Sequence, residues 1–175
     1  MTWQRGFILQ GQSDFEIFRL LREENARDPE AVRLCHPLHY MQMACEKLAK
    51  GLAAHDPNTE PAHTHDSLAG WVRAAKTQCP RVLMRLCQIK NKQQFRKYLS
   101  SLESIATLVD ELAPAVAEKK GIGENAEYPW KDKLTGVIFY PAGYDFPKFK
   151  FNHNRLIKLT EFMEATYQFS NTYIE

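Results

Sequence analysis

Between residues 95 and 116 the apolar side chains Phe95, Leu99, Leu102, Ala106, Val109, Ala113 and Val116 recur every three or four positions. That is the period of one face of an α-helix and not the alternation of a strand. An apolar stripe of this length must be covered along its course, so the chain has to fold as helices laid side by side, with a perturbation expected near Pro114. The other periodic segments agree. Residues 37–54 carry Leu38, Met41, Cys45, Leu48 and Leu52 as a core stripe, with Pro37 well placed at a first helical position. Ser13 and Glu16 form a capping box that opens a helix with Phe15, Phe18 and Leu21 on one face, fading near Asn25 ahead of a break at Asp28-Pro29.

Punctuating residues divide the rest. Asp56 to His65, with Pro57, Asn58 and Pro61, reads as a loop, after which Thr64 or Asp66 caps a helix presenting Leu68, Trp71 and Ala75. Pro80 begins a stretch supported by Val82, Leu86 and Ile89. Asn91, with Gln94 three residues on, either caps a separate helix or kinks a continuous one. From Gly121 to Phe149 the composition shifts to Gly, Pro and aromatic residues, and Val137-Ile138-Phe139-Tyr140 with a turn at Pro141-Ala142-Gly143 predicts a short hairpin or an ordered aromatic loop. Asn152 or Asn154 caps a final helix carrying Leu156, Leu159, Met163 and Phe169. The expected fold class is all-α, an up-and-down bundle of four to five main helices in one domain over residues 1–175, with residues 121–149 inserted before the last helix.

Composition excludes several classes. With 175 residues, 44% of them hydrophobic, the chain can bury a real core and is not a disordered one. The balance of 23 basic and 21 acidic side chains leaves a net +2, too small by itself to argue for nucleic acid or an anionic membrane. Phe7-Ile8-Leu9 gives way at once to Gln10-Gly11-Gln12, so no signal-peptide core is expected, and nothing approaches a membrane span. Cys35, Cys45, Cys79 and Cys87 form no Cys-x-x-Cys pair and read as reduced thiols, which places the chain in the cytoplasm.

The run His39-Tyr40-Met41-Gln42-Met43-Ala44-Cys45-Glu46-Lys47-Leu48-Ala49-Lys50-Gly51-Leu52 resembles the second helix of HEPN domains, whose pattern is a His followed by Gln-x-x-x-Glu-Lys among small and apolar residues. A capped helix of the Asp14-Phe15 to Leu21 kind precedes it, and Thr64-His65-Asp66-Ser67-Leu68 follows in the place of the family's Thr-His-Asp-Leu, so residues 13–70 match in order. The resemblance implies a four- or five-helix bundle, usually homodimeric. It further implies a setting among toxin-antitoxin or defence ribonucleases, with a nucleotidyltransferase or antitoxin as partner. Active members place an Arg four to six residues before a His late in the bundle. Here no His lies between His65 and His153, and the nearest arrangement of those residue types, Arg33 with His39, precedes the second helix and spans Pro37. The expectation is a HEPN-like module without the usual nuclease motif that binds RNA, a nucleotide or a protein. The alternatives are an active metal-independent ribonuclease with an atypical Arg33 and His39 arrangement, or a non-catalytic structural partner of a nucleotidyltransferase.

Charge is uneven along the chain. From Arg73 to Lys97 it holds Arg73, Lys76, Arg81, Arg85, Lys90, Lys92, Arg96 and Lys97 and no Asp or Glu. Arg81 with Arg85, and Lys92 with Arg96, are spaced by four and suit successive phosphates on an RNA backbone. The plainer reading is a solvated face partly neutralised by Glu103, Asp110, Glu111 and Glu118. On the second helix Gln42, Glu46 and Lys50 share a face while Lys47 points elsewhere. With His65 they form a polar network whose use is structural before it is ligand-binding. The histidines His36, His39, His55, His63 and His65 lack the spacing of a zinc site, so neither a metal nor a cofactor is expected. Gly121-Ile122-Gly123-Glu124-Asn125-Ala126 has the spacing of a dinucleotide fingerprint but follows a helix instead of a strand, and Gly121 reads as a helix stop. The rings of Tyr128, Trp130, Phe139, Tyr140, Tyr144, Phe146, Phe149 and Phe151 suit stacking on bases, but packing on the bundle or across a dimer is favoured.

Overall fold

The computed structural model describes residues 1–53, 68–78 and 80–173. Among these residues the helices are α1 (Trp3–Arg27), α2 (Cys35–Ala53), α3 (Leu68–Gln78), α4 (Pro80–Leu86), α5 (Lys92–Asp110), α6 (Pro114–Lys120), α7 (Pro147–Phe151) and α8 (His153–Tyr173). Between α6 and α7 runs an antiparallel hairpin of β1 (Trp130–Lys131) and β2 (Ile138–Phe139), with Trp130 opposite Phe139. The protein is all-α apart from this hairpin. No described helix is long and apolar enough to cross a membrane.

The most extensive packing joins α1 to α2. They run antiparallel, with Ile8 against Gly51 and Gly11 against Ala44 and Lys47. A Cβ on Gly51 would stand 2.5 Å from Ile8 Cγ1, so the missing side chain is what lets the helices approach. This contact corrects the expected start of the first helix. Ser13 caps nothing. The helix begins ten residues earlier at Trp3, where Thr2 Oγ1 accepts from the Arg5 amide at 3.2 Å. Two glycines in one helix cost about 1 kcal/mol each relative to alanine. Packing of Ile8 and Gly11 on α2 outweighs that penalty.

The core follows the apolar stripes. Leu38, Met41, Cys45 and Leu48 of α2 are buried, while Leu52 is half-buried because its neighbour Gly51 takes the face toward α1. In α5 the buried side is Phe95, Leu99, Leu102, Ile105, Ala106 and Val109. The long stripe breaks after Asp110, and Pro114 starts α6. The stretch from Pro80 to Asp110 resolves into two helices, α4 and α5. Gln88 adopts φ 54°, and Asn91 Oδ1 accepts from the amides of Gln93 at 2.8 Å and Gln94 at 3.1 Å. Gly121 ends α6 in the left-handed conformation, as its residue type predicts.

Helix α8 lies antiparallel to α5, with Arg155 Nη1 donating to Ser104 Oγ at 3.3 Å, and it buries Leu156, Leu159 and Met163. Phe169 corrects the expected stripe, being 38% exposed, while Thr166, Tyr167 and Ser170 turn inward. A six-residue step from Met163 leaves the helical face, whereas steps of three, four and seven keep to it. Nor does the Asn152 side chain cap α8; it donates to the Lys148 carbonyl at 2.7 Å and accepts from Arg155 at 3.0 Å. Tyr167 reaches between α1 and α2, its ring 5.6 Å from Phe15 and its hydroxyl donating to the Ala44 carbonyl at 3.2 Å.

The insert is tied to the bundle by rings. Trp130, Phe139, Tyr144 and Phe146 touch in succession at 5.1 to 5.9 Å between centroids, and Phe146 belongs to the apolar cluster formed by the helices. Packing on the bundle, the favoured reading of these aromatics, is what part of the set does. Tyr128 and Tyr140, each 60% exposed, do not join it.

Candidate nucleic-acid interface

The basic run from Arg73 to Lys97 is carried by the last turns of α3, by α4 and by the first turns of α5. Helix α3 packs on both α4 and α5, and the left-handed Gln88 lies between α4 and α5, so three neighbouring elements carry the cations. Lys76, Arg81, Arg85, Lys90, Lys92, Arg96 and Lys97 are all exposed. Among the described residues none of these seven has a hydrogen bond or ion pair, and only Arg73 is engaged, its Nε 2.8 Å from Glu103 Oε1. The neutralisation expected from the acids of residues 98–118 is therefore largely absent. Of those acids, Glu103 serves Arg73, Glu111 pairs with Lys120 at 2.9 Å, and an Asp110 oxygen accepts from the Ala69 amide at 3.4 Å.

Apolar side chains lie beneath the charges. Phe95 and Leu99 anchor α5 in the core, and Cys87 and Tyr98 meet beneath the turn. Burial pushes the Cys87 thiol up to about 11, a hydrogen bond from Tyr98 working against it, so this thiol stays protonated and unreactive near neutral pH. Burial likewise pushes the Tyr98 phenol upward. Exposed cations that pair with no acid among the described residues raise the local concentration of a polyanion.

The structure separates the other candidates. Gln42, Glu46 and Lys50 do form the predicted ladder. Gln42 Nε2 donates to Glu46 Oε2 at 3.1 Å, Lys50 Nζ lies 2.8 Å from Glu46 Oε1, and Lys50 also sits 5.7 Å from the Phe7 ring centroid. Its proposed member His65 lies outside the described residues, as do His55, His63 and Cys79. Among the described residues Arg33 and His39 form no hydrogen bond with each other. The Arg33 guanidinium donates to Glu30 at 2.9 Å, while His39 lines a cleft between α2 and the insert that Arg33 does not border. In that cleft His39 Nδ1 stands 3.5 Å from Glu127 Oε1. Among the described residues no three His, Cys, Asp or Glu side chains cluster as a metal site would need.

Comparison with known proteins returns no matching family model, curated protein or solved structure.

Two polar features escaped the sequence. Lys47, which was expected only to leave the Gln42 face, forms an ion pair with Asp14, a carboxylate 5% exposed that also accepts from Gln10 Nε2 at 3.2 Å. His39 faces Glu127. Both pairings join residues far apart in the chain, and neither leaves a periodic trace.

Proposed function

We propose that this protein is a HEPN-like, non-catalytic module that binds single-stranded RNA through the basic face spanning α3 to α5. The observation that carries this reading is the set of seven exposed cations without an ion-pair partner among the described residues. Phosphate charge is the natural counterpart of such a set, and the four-residue spacing of Arg81 with Arg85 and of Lys92 with Arg96 suits an extended backbone. The HEPN part rests on the resemblance of residues 13–70. The same resemblance supports a homodimeric, cytoplasmic protein working beside a toxin-antitoxin or nucleotidyltransferase partner. The non-catalytic part rests on the separation of Arg33 from the cleft that His39 lines.

Binding to an unstructured RNA is expected to weaken steadily with salt, by about 0.7 in the logarithmic slope for each phosphate neutralised. Arg81→Glu with Arg85→Glu should reduce affinity more than about tenfold at low salt and flatten that slope, since two attractions become repulsions. Fluorescence anisotropy across a salt series reads both quantities. Absence of binding by the parent protein at low salt, or an unchanged slope in the double variant, removes the proposal. RNA cleavage that is lost in His39→Ala would replace it with the nuclease alternative.

A further inference from the structure

We infer that the cleft between the first turn of α2 and the aromatic insert is a binding site for a guanine base, separate from the basic face. The cleft holds about 450 Å³, within the range of small-molecule sites, and is lined by His36, His39, Tyr40, Glu127, Tyr128 and Tyr140 among others. Its chemistry divides into a polar floor and aromatic walls.

The floor is His39 with Glu127. Glu127's carboxylate makes no hydrogen bond among the described residues, and its one polar contact is the His39 Nδ1 at 3.5 Å, too long for a good hydrogen bond. The Nδ1 atom is itself buried and has no hydrogen-bond partner. Two groups that water or a ligand must satisfy therefore stand next to each other inside a cleft. Both are held in place from behind. Asn125, 5% exposed, accepts from the amides of Glu127 at 2.9 Å and Tyr128 at 2.8 Å and donates to the Gly123 carbonyl at 3.0 Å, which fixes the loop that presents them. His39 is set by the first turn of α2, with Tyr40 edge-on at 5.4 Å.

The walls are the rings of Tyr128 and Tyr140, which remain 60% exposed although the neighbouring Trp130, Phe139 and Tyr144 are packed together. Exposed rings beside a solvent-accessible carboxylate suit a planar, hydrogen-bonding ligand, and a base splayed from a single strand is one. Which base follows from donor counting. A carboxylate only accepts, so it is matched by an edge offering two adjacent N–H donors. Guanine offers N1–H and the 2-amino group side by side. Adenine presents an acceptor at N1, uracil one donor at N3, and cytosine an acceptor at N3, so each leaves an oxygen of Glu127 unmatched.

The test uses mononucleotides, which contact too few cations to engage the basic face and so separate this site from the RNA reading. By calorimetry guanosine 5′-monophosphate is expected to bind at least about tenfold more tightly than the adenosine, uridine and cytidine monophosphates. Glu127→Gln should abolish that preference, because the carboxamide turns one acceptor into a donor, and Tyr140→Ala should weaken all four ligands together. Arg81→Glu with Arg85→Glu should leave the guanosine preference intact while long RNA is lost. Equal affinity for the four nucleotides, no heat with any of them at millimolar concentration, or a guanosine preference surviving in Glu127→Gln each overturns the assignment. Circular dichroism confirms that the variants keep the parent's helicity.

Discussion

Replacing Lys47 with methionine is expected to lower the free energy of unfolding by about 3 to 5 kcal/mol, because it strands a charged Asp14 inside the α1–α2 contact. Asp14 is 5% exposed and the Lys47 side chain 20%, so the pair is largely shielded from water. Methionine keeps the length and most of the apolar stem of lysine, which isolates the lost charge from lost packing. With Lys47 gone, Asp14 keeps, among the described residues, the Gln10 amide as its side-chain donor. Adding Asp14→Asn to Lys47→Met removes the stranded charge and should recover at least half of the loss, a sign of coupling that single variants cannot give. Urea unfolding followed by circular dichroism measures all three proteins. A Lys47→Met protein within about 0.5 kcal/mol of the parent would mean that the pair behaves like an exposed one.

A comparable loss, about 3 kcal/mol, is expected for Gly11→Val, and here the cause is steric. The first carbon of any side chain at Gly11 would lie 2.8 Å from the Tyr167 hydroxyl, 3.2 Å from Lys47 Cβ and 3.3 Å from the Ala44 carbonyl oxygen. Tyr167 can yield only by giving up its hydrogen bond to Ala44, and the Ala44 carbonyl is backbone and cannot yield alone. The two helices must then separate. Gly6 in the same helix is the control, since nothing stands within 4 Å of where its Cβ would go. There Gly6→Ala should stabilise by about 0.5 to 1 kcal/mol through helix propensity alone. Opposite signs at two glycines five residues apart, read from thermal and urea midpoints, would establish that close approach and not helix content governs α1. Destabilisation at both positions would contradict it.

These two residues also show what the sequence could and could not reveal. The stripes of α2 and α5 were legible because burial on one side of a helix imposes a period, and every residue of the stripe repeats the message. The helix stop at Gly121 was legible because its chemistry is local, whereas Asn91 read equally as a cap or a kink, and only the turn at Gln88 decides for the cap. The first turns of α1 were not legible. Glycines at positions 6 and 11 argue against a helix locally, and the element that overrules them, α2, packs on α1 through Ala44, Lys47 and Gly51, far along the chain. Asp14 and Lys47 were hidden for the same reason, as were His39 and Glu127. Of the candidate interface, the cations themselves were plain in the sequence, but their lack of ion-pair partners was not, because pairing depends on where Glu103, Asp110 and Glu111 point.

Phe146 ends the series of touching rings in the insert and is fully buried in the bundle, with its backbone at φ 44°. A non-glycine residue pays about 1 to 2 kcal/mol to sit there, so it is held by what surrounds it. This latch ties the hairpin to the helices, since Tyr144, which touches Trp130 and Phe139, also touches the buried Phe146. Heating should accordingly show one transition for both parts. A compound lodged beneath the hairpin would then raise the melting temperature of the whole molecule as its concentration increases.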